Sequence, residues 1–247
     1  MSDVLIKLEN VSKKFFLGKK NVVTALENVN LEIFSGEYIS IMGPSGSGKT
    51  TLFNMIGVLD TPTTGKITIG ETDLKRLTPL EQAFFRGTYL GYVFQSFNLL
   101  PQYSAIENVA LPLIFSGKSY SASLERAKEV LESVGLGNRL HHKPDELSGG
   151  QQQRVAIARA LANKPLIILA DEPTGNLDLH TGEEIITLLK ELSVKYHVTV
   201  VSATHDYKML STSDRIVWIA DGKIEKIQKR EEIEIKVGTI LQQEKIK

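Results

Sequence analysis

The chain has 247 residues, 42% of them apolar, which suits one sizeable α/β core with room for an inserted subdomain and argues against disorder. Its 29 basic residues balance 29 acidic ones, so no overall positive field draws it to nucleic acid, and none is expected as a partner. Cysteine is absent, which excludes a disulfide framework and thiolate chemistry and fits a reducing compartment. No apolar run reaches the ~20 residues that cross a bilayer. The opening "MSDVLIKLENVSKK" lacks a basic n-region followed by an apolar h-region, so a cytoplasmic location is expected, with any membrane role supplied through a partner.

In chain order, "VLIKLENVSKKF" and "VTALENVNLEIFSGEYISIMG" alternate apolar and polar residues and read as strands. "YISIMG" is short, apolar and ends in glycine, as a buried parallel strand entering a loop should. "KTTLFNMIGVL" follows at helical period, and "TGKITIGETDL" reads as an edge hairpin arm. From about residue 98 to 164 the pattern turns helical, through "AIENVALPLIFSG", "SASLERAKEVLESVGL" and "QQQRVAIARALANKP", with Pro165 as a stop. "LIILADEP" returns to a buried strand, "TGEEIITLLKELSVKY" is an amphipathic helix, and "VTVVSATHD" and "RIVWIADGKI" are further strands. The expectation is an α/β core over residues 1–228 with a helical insert, then a charged, solvated extension over 229–247.

"GPSGSGKT" has the form G-x-x-x-x-G-K-T, with Gly43, Gly48, Lys49 and Thr50 at the fixed places. Glycines let successive amides turn inward around phosphate oxygens, so Gly43, Pro44, Ser45, Gly46, Ser47 and Gly48 would line a nucleotide, with Thr51 beside them. The following helix aims its partially positive end at the same anion. Lys49 reaches the outer phosphates, and the Thr50 hydroxyl suits Mg²⁺. Asp171 and Glu172 emerge from the end of a buried strand, where ligands bind in open α/β sheets. Asp171 would hold Mg²⁺. Glu172 would polarise an attacking water, a role worth about 10²–10⁴ in rate. The alternative is an exposed acidic pair. His205 ends another apolar strand and suits a γ-phosphate hydrogen bond. His141, His142, His180 and His197 read as surface residues. Gln95, in "GYVFQSF", is either a ligand to Mg²⁺ or water, or a polar boundary residue. Ser148, Gly149, Gly150 and Gln151, in "LSGGQQQR", are either a plain helix cap or a second anion site.

The order "GPSGSGKT", "VFQ", "LSGGQ", "ILADEP", "GNLD", "ATHD" resembles the nucleotide-binding subunits of ATP-binding-cassette (ABC) transporters over about residues 4–226. "LSGGQ" is the most specific element. The resemblance implies a P-loop NTPase core with a mostly parallel sheet, an N-terminal antiparallel β subdomain and an inserted helical subdomain. It implies ATP hydrolysis with Mg²⁺, and two copies packed head to tail so that Ser148 and the amides of Gly149 and Gly150 grip the partner's ATP. Gln95 matches the family's Q-loop glutamine, linking the core to the insert, and Asp178 the D-loop aspartate at the dimer seam. Phe15 is the better match to the aromatic that stacks on adenine, with adjacent Phe16 in competition and a core role as the alternative. "FNLLPQYSAIENVALPLI" resembles the branch that energises lipoprotein release and macrolide export. The branch implies an integral-membrane permease as partner, with the cassette peripheral on the inner face of the membrane.

Overall fold

The computed structural model describes residues 3–18, 21–205, 207–233, 235–236 and 239–240. Two long strands come first, β1 (Val4–Leu17) and β2 (Asn21–Phe34), paired antiparallel. Each carries a bulge at an asparagine, Asn10 and Asn28, both at φ 52°, where a short polar side chain tolerates the left-handed conformation. β3 (Tyr38–Met42) is buried throughout and feeds the glycine-rich loop, which opens α1 (Lys49–Ile56). β4 (Thr64–Ile69) and β5 (Thr72–Asp73) form the expected hairpin, with β5 at the margin of a sheet ordered β2-β1-β4-β5.

α2 (Pro79–Tyr89) was not among the expected elements. Thr78 and Glu81 close a capping box around its first turn, proline takes the first helical position, and the helix runs straight into β6 (Leu90–Phe94). The helical stretch resolves into α3 (Ala105–Phe115), α4 (Tyr120–Ser133) and α5 (Gly149–Leu161). β7 (Ile167–Asp171), α6 (Leu179–Tyr196), β8 (Thr199–Thr204), a 3₁₀ segment at Tyr207–Thr212, β9 (Arg215–Ala220) and β10 (Lys223–Lys229) complete the core. The second sheet is ordered β10-β9-β3-β8-β7-β6 and is parallel except for β10, which pairs antiparallel to β9.

Alternation along the parallel strands builds two cores. Ile168 and Ala170 of β7 face α3, α4, α5 and α6, while Ile167 and Leu169 face α1 and the antiparallel sheet, where Ile6, Leu8 and Ile67 pack. A sheet covered on both faces explains the near-continuous apolar runs. α5 packs on β6 and α6 as well as on α3 and α4, so it is shared between the insert and the core.

The stretch after residue 228 begins with structure. A 3₁₀ turn at Arg230–Glu232 seats Ile233, 8% exposed, against Met42, Leu210 and Ile216. β11 (Ile235–Lys236) and β12 (Thr239–Ile240) pair antiparallel, and residues 234, 237–238 and 241–247 of the expected extension lie outside the described residues.

Candidate functional site

Parallel pairing brings the motif residues to one edge. Phe94 pairs with Asp171, Asp171 with Ala203, and Met42 with Thr204. Gln95, Glu172, His205 and Gly43 therefore leave neighbouring strands side by side, at the carboxyl end where α/β sheets receive ligands.

Two close approaches shape the loop. A Cβ on Gly43 would collide with the Ile219 carbonyl of β9, and one on Gly48 would lie 2.7 Å from the Ala25 carbonyl of β2. Gly46 and Gly48 have φ of 78° and 105°, left-handed values at which a side chain is strained. The Gly222 amide donates to the Ser47 carbonyl, and the Gly222 carbonyl accepts from the Glu27 amide, both at 2.9 Å. The turn between β9 and β10 thus ties the loop to the antiparallel sheet. The Lys49 ammonium is folded onto the loop's own carbonyls, 2.7 Å from Gly43 and 2.9 Å from Pro44. α1 has no capping side chain at Gly48 and no acidic residue in its first turn, so its N-terminal amides face no competing anion of their own. The Ser47 hydroxyl is buried with no hydrogen-bond partner, whereas Pro44, Ser45, Gly46 and Thr50 are exposed and Thr51 is half-buried. This cradle fits a polyphosphate.

Glu172 has φ 43°, held by its amide donating to Ala203 and its carbonyl accepting from Gly175. Its Oε1 lies 2.7 Å from His205 Nδ1. The Asp171 carboxyl titrates above its ordinary range because burial and then adjacent Glu172 disfavour its charge, with Lys49 opposing both. Among the described residues no cluster of three or more His, Cys, Asp or Glu gathers. A cation here would rest on one carboxylate, a hydroxyl, an amide and ligand oxygens, a donor set that suits Mg²⁺.

Gln95 lies against the turn after β7. Its Nε2 is 3.4 Å from Asn176 Oδ1, and Asn176 Nδ2 donates to the Gln95 carbonyl at 3.0 Å. A Cβ on Gly175 would lie 2.5 Å from Gln95 Nε2, so glycine there leaves the amide its place. The motif "GNLD" contains Gly175 and Asn176, but nothing in the sequence ties them to Gln95, and two further residues make contacts that no motif announces. Buried Gln153 of α5 donates to the Pro173 carbonyl at 2.5 Å, joining α5 to the turn beyond Glu172. The Arg159 guanidinium donates to the carbonyls of Phe97 and Asn98, which occupy left-handed conformations at φ 59° and 50°. Burial lowers the Arg159 pKa from its ordinary value.

Ser148 caps α5. Its hydroxyl accepts from the Gln151 amide at 3.3 Å, and Gln151 Oε1 accepts from the Ser148 amide at 3.0 Å. A Cβ on Gly150 would lie 2.5 Å from Thr181 Cγ2, and one on Gly149 would lie 3.2 Å from Leu177 Cδ2. The two glycines therefore let the start of α5 close on the start of α6. Asp178 caps α6, accepting from the Thr181 amide at 3.1 Å and its hydroxyl at 2.6 Å, which lowers the Asp178 pKa. Phe15 and Phe16 are both outside the core, 40% and 69% exposed, and Lys13 Nζ lies 5.1 Å from the Phe15 ring centre. His141, His180 and His197 are exposed, while His142 is half-buried against Arg139.

A cavity of about 450 Å³ opens between the core and the insert, lined in part by Leu59, Arg86, Phe94, Leu111, Phe115 and Arg159. Phe115 is 84% exposed at its rim. No helix among the described residues is long and apolar enough to cross a membrane.

The family described as "ABC transporter" matches residues 26–175, more than half of the chain. The macrolide export ATP-binding/permease protein MacB of Rhodopirellula baltica is 47% identical over 89% of this chain and 32% of its own length. The lipoprotein-releasing system ATP-binding protein LolD of Shewanella frigidimarina is 44% identical over 88% of this chain and 91% of its own. Among solved structures, the dimeric post-hydrolysis state of the ATP-binding cassette MJ0796, bound to ADP and Pi, superposes with a TM-score of 0.83 at 48% identity, covering 92% of this chain and 99% of that one. Family match, relatives and the convergence of the loops on one sheet edge agree: the chain belongs to the ABC transporter family and is an ATP-binding cassette that hydrolyses ATP.

Proposed function

We propose that this cassette powers a membrane permease of the lipoprotein-release or macrolide-export type through ATP-dependent closure of a head-to-tail homodimer. The observation that carries the reading is the separate anchorage of two amide-rich loops. Lys49 and its loop are tied to β2, β9 and Gly222, while Gly149 and Gly150 abut Leu177 and Thr181. One triphosphate is served by the first loop, so the second is best used on a neighbour's, and twofold symmetry then makes two equal composite sites. MJ0796, nearly half identical, has been solved as a dimer, which supports the same assembly here.

Residues 1–228 act as the ATPase unit, with residues 98–164 as the inserted helical part. Gly43, Pro44, Ser45, Gly46, Ser47, Gly48, Lys49, Thr50 and Thr51 take the phosphates, and Phe15 stacks on adenine. Thr50, Asp171 and Gln95 would hold Mg²⁺, which when bound offsets charge on the phosphate oxygens. Glu172 activates water. A γ-phosphate would compete for the His205 imidazole, which lies 2.7 Å from the Glu172 carboxylate, and leave that carboxylate to accept a proton from water. Ser148, Gly149, Gly150 and Gln151 meet the partner's nucleotide, with Asp178 at the seam. Hydrolysis removes the shared ligand and the dimer opens. Residues 95–113 and the cavity beside them pass this motion to the permease, which places the cassette on the cytoplasmic face of the membrane. The MacB relative, whose name joins ATP-binding and permease functions, supports that partner class.

The test is complementation. Lys49→Ala chains and Ser148→Arg chains are each inactive, and mixing them restores one intact composite site and measurable ATPase. No recovery in mixtures shown to contain mixed dimers sinks the shared-site reading.

A further inference from the structure

The stretch after β10 does more than trail into solvent. Ile233 closes an apolar cluster with Met42, Leu210 and Ile216, against which Trp218 packs. Met42 is the last β3 residue before Gly43 and pairs in register with Thr204, the residue before His205, and with Trp218. Leu210 is fully buried in the 3₁₀ segment Tyr207–Thr212 that leads away from His205. The Tyr207 ring lies 6.4 Å from that of Trp218, which also holds Lys226 Nζ 5.1 Å from its centre. The turn itself is tethered. The Arg230 amide donates to the Asp214 carbonyl at 3.0 Å, Arg230 Nη1 donates to the Ile233 carbonyl at 2.7 Å, and Glu232 accepts from the Lys229 amide at 3.2 Å.

We infer that residues 230–233 brace the loop carrying His205, with Ile233 as the positioning residue. It touches neither nucleotide nor water. It fixes Leu210 against Met42, and so sets where the segment after β8 leaves the sheet relative to the phosphate loop. The inference rests on the reading of His205 as a γ-phosphate contact.

The experiment uses the full chain. Ile233→Ala should lower kcat by roughly tenfold, as a misplaced catalytic contact does, while ATP affinity stays within about twofold. Ile233→Val, which keeps the branched packing, should restore most of the rate. In a His205→Ala background the Ile233→Ala change should add nothing further to the deficit, because both act through one contact. Amide hydrogen exchange at residues 207–212 should rise while that of 49–56 stays unchanged. An unchanged kcat, a deficit that multiplies with that of His205→Ala, or unaltered exchange at 207–212 overturns the brace. Wild-type kcat in His205→Ala alone rejects the role of the histidine, and the exchange measurement then decides the brace by itself. Should Ile233→Ala not fold, Arg230→Gln loosens the turn without opening the cluster, and the same split between kcat and affinity is expected of it.

Discussion

In the proposed mechanism the pair at Glu172 and His205 concentrates the chemistry into a few atoms. Glu172 holds a left-handed backbone at φ 43°, a conformation costing about 1–2 kcal/mol, and two backbone hydrogen bonds keep it there. From there the carboxylate meets His205 Nδ1, just beyond the end of the neighbouring β8, 2.7 Å away. Glu172→Gln preserves size and an acceptor oxygen but removes the base. We expect kcat to fall by at least about 100-fold with ATP affinity within about twofold, read by steady-state hydrolysis beside nucleotide-binding titration. Undiminished turnover would remove Glu172 from the base role. The placement of Asp171, Glu172 and His205 was legible in the sequence because each stands within two steps of a short apolar run, and that of Lys49 because a glycine-rich loop joins a buried strand to a helix. For Asn176 and Gly175 the motif "GNLD" was visible but the contact with Gln95 was not: Asn176 reaches it from 81 residues away, and no local pattern encodes such a contact.

Among the elements, the junction of α5 with α6 is a tight fit near the site. Thr181 is doubly fixed, by its β-branch and by its hydroxyl bond to Asp178 at 2.6 Å, so its Cγ2 cannot swing away from a new methyl on Gly150. Gly150→Ala should therefore destabilise the fold by about 1–3 kcal/mol through overpacking, seen as a lower midpoint in denaturant unfolding with an unchanged slope. A midpoint equal to wild type would mean the two helices part freely. The same junction shows what periodicity can and cannot deliver. The apolar spacing of "QQQRVAIARAL" and Pro165 gave α5 its place, but nothing in that spacing announced that both glycines serve α6 packing as well as any anion. α2 was overlooked although Thr78 and Glu81 spell a capping box, because its single buried residue, Phe85, leaves almost no apolar stripe to read.

For the whole molecule, the cavity between core and insert is the proposed place for a partner's push to enter. Phe115 stands at its rim, largely in solvent, so replacing it removes contact surface without opening a core. Phe115→Ser should leave basal ATPase within about twofold and the melting temperature unchanged, while stimulation by a co-purified permease falls at least about fivefold if the residue contributes as an interface anchor. Full stimulation would place the docking surface elsewhere. A last consequence follows from Gly222, whose amide and carbonyl reach in opposite directions, one to the phosphate loop and one to β2. Laboratory handles such as fluorophores, epitopes or inserted loops do not belong in that turn, however accessible it looks, since lengthening it would uncouple both neighbours at once.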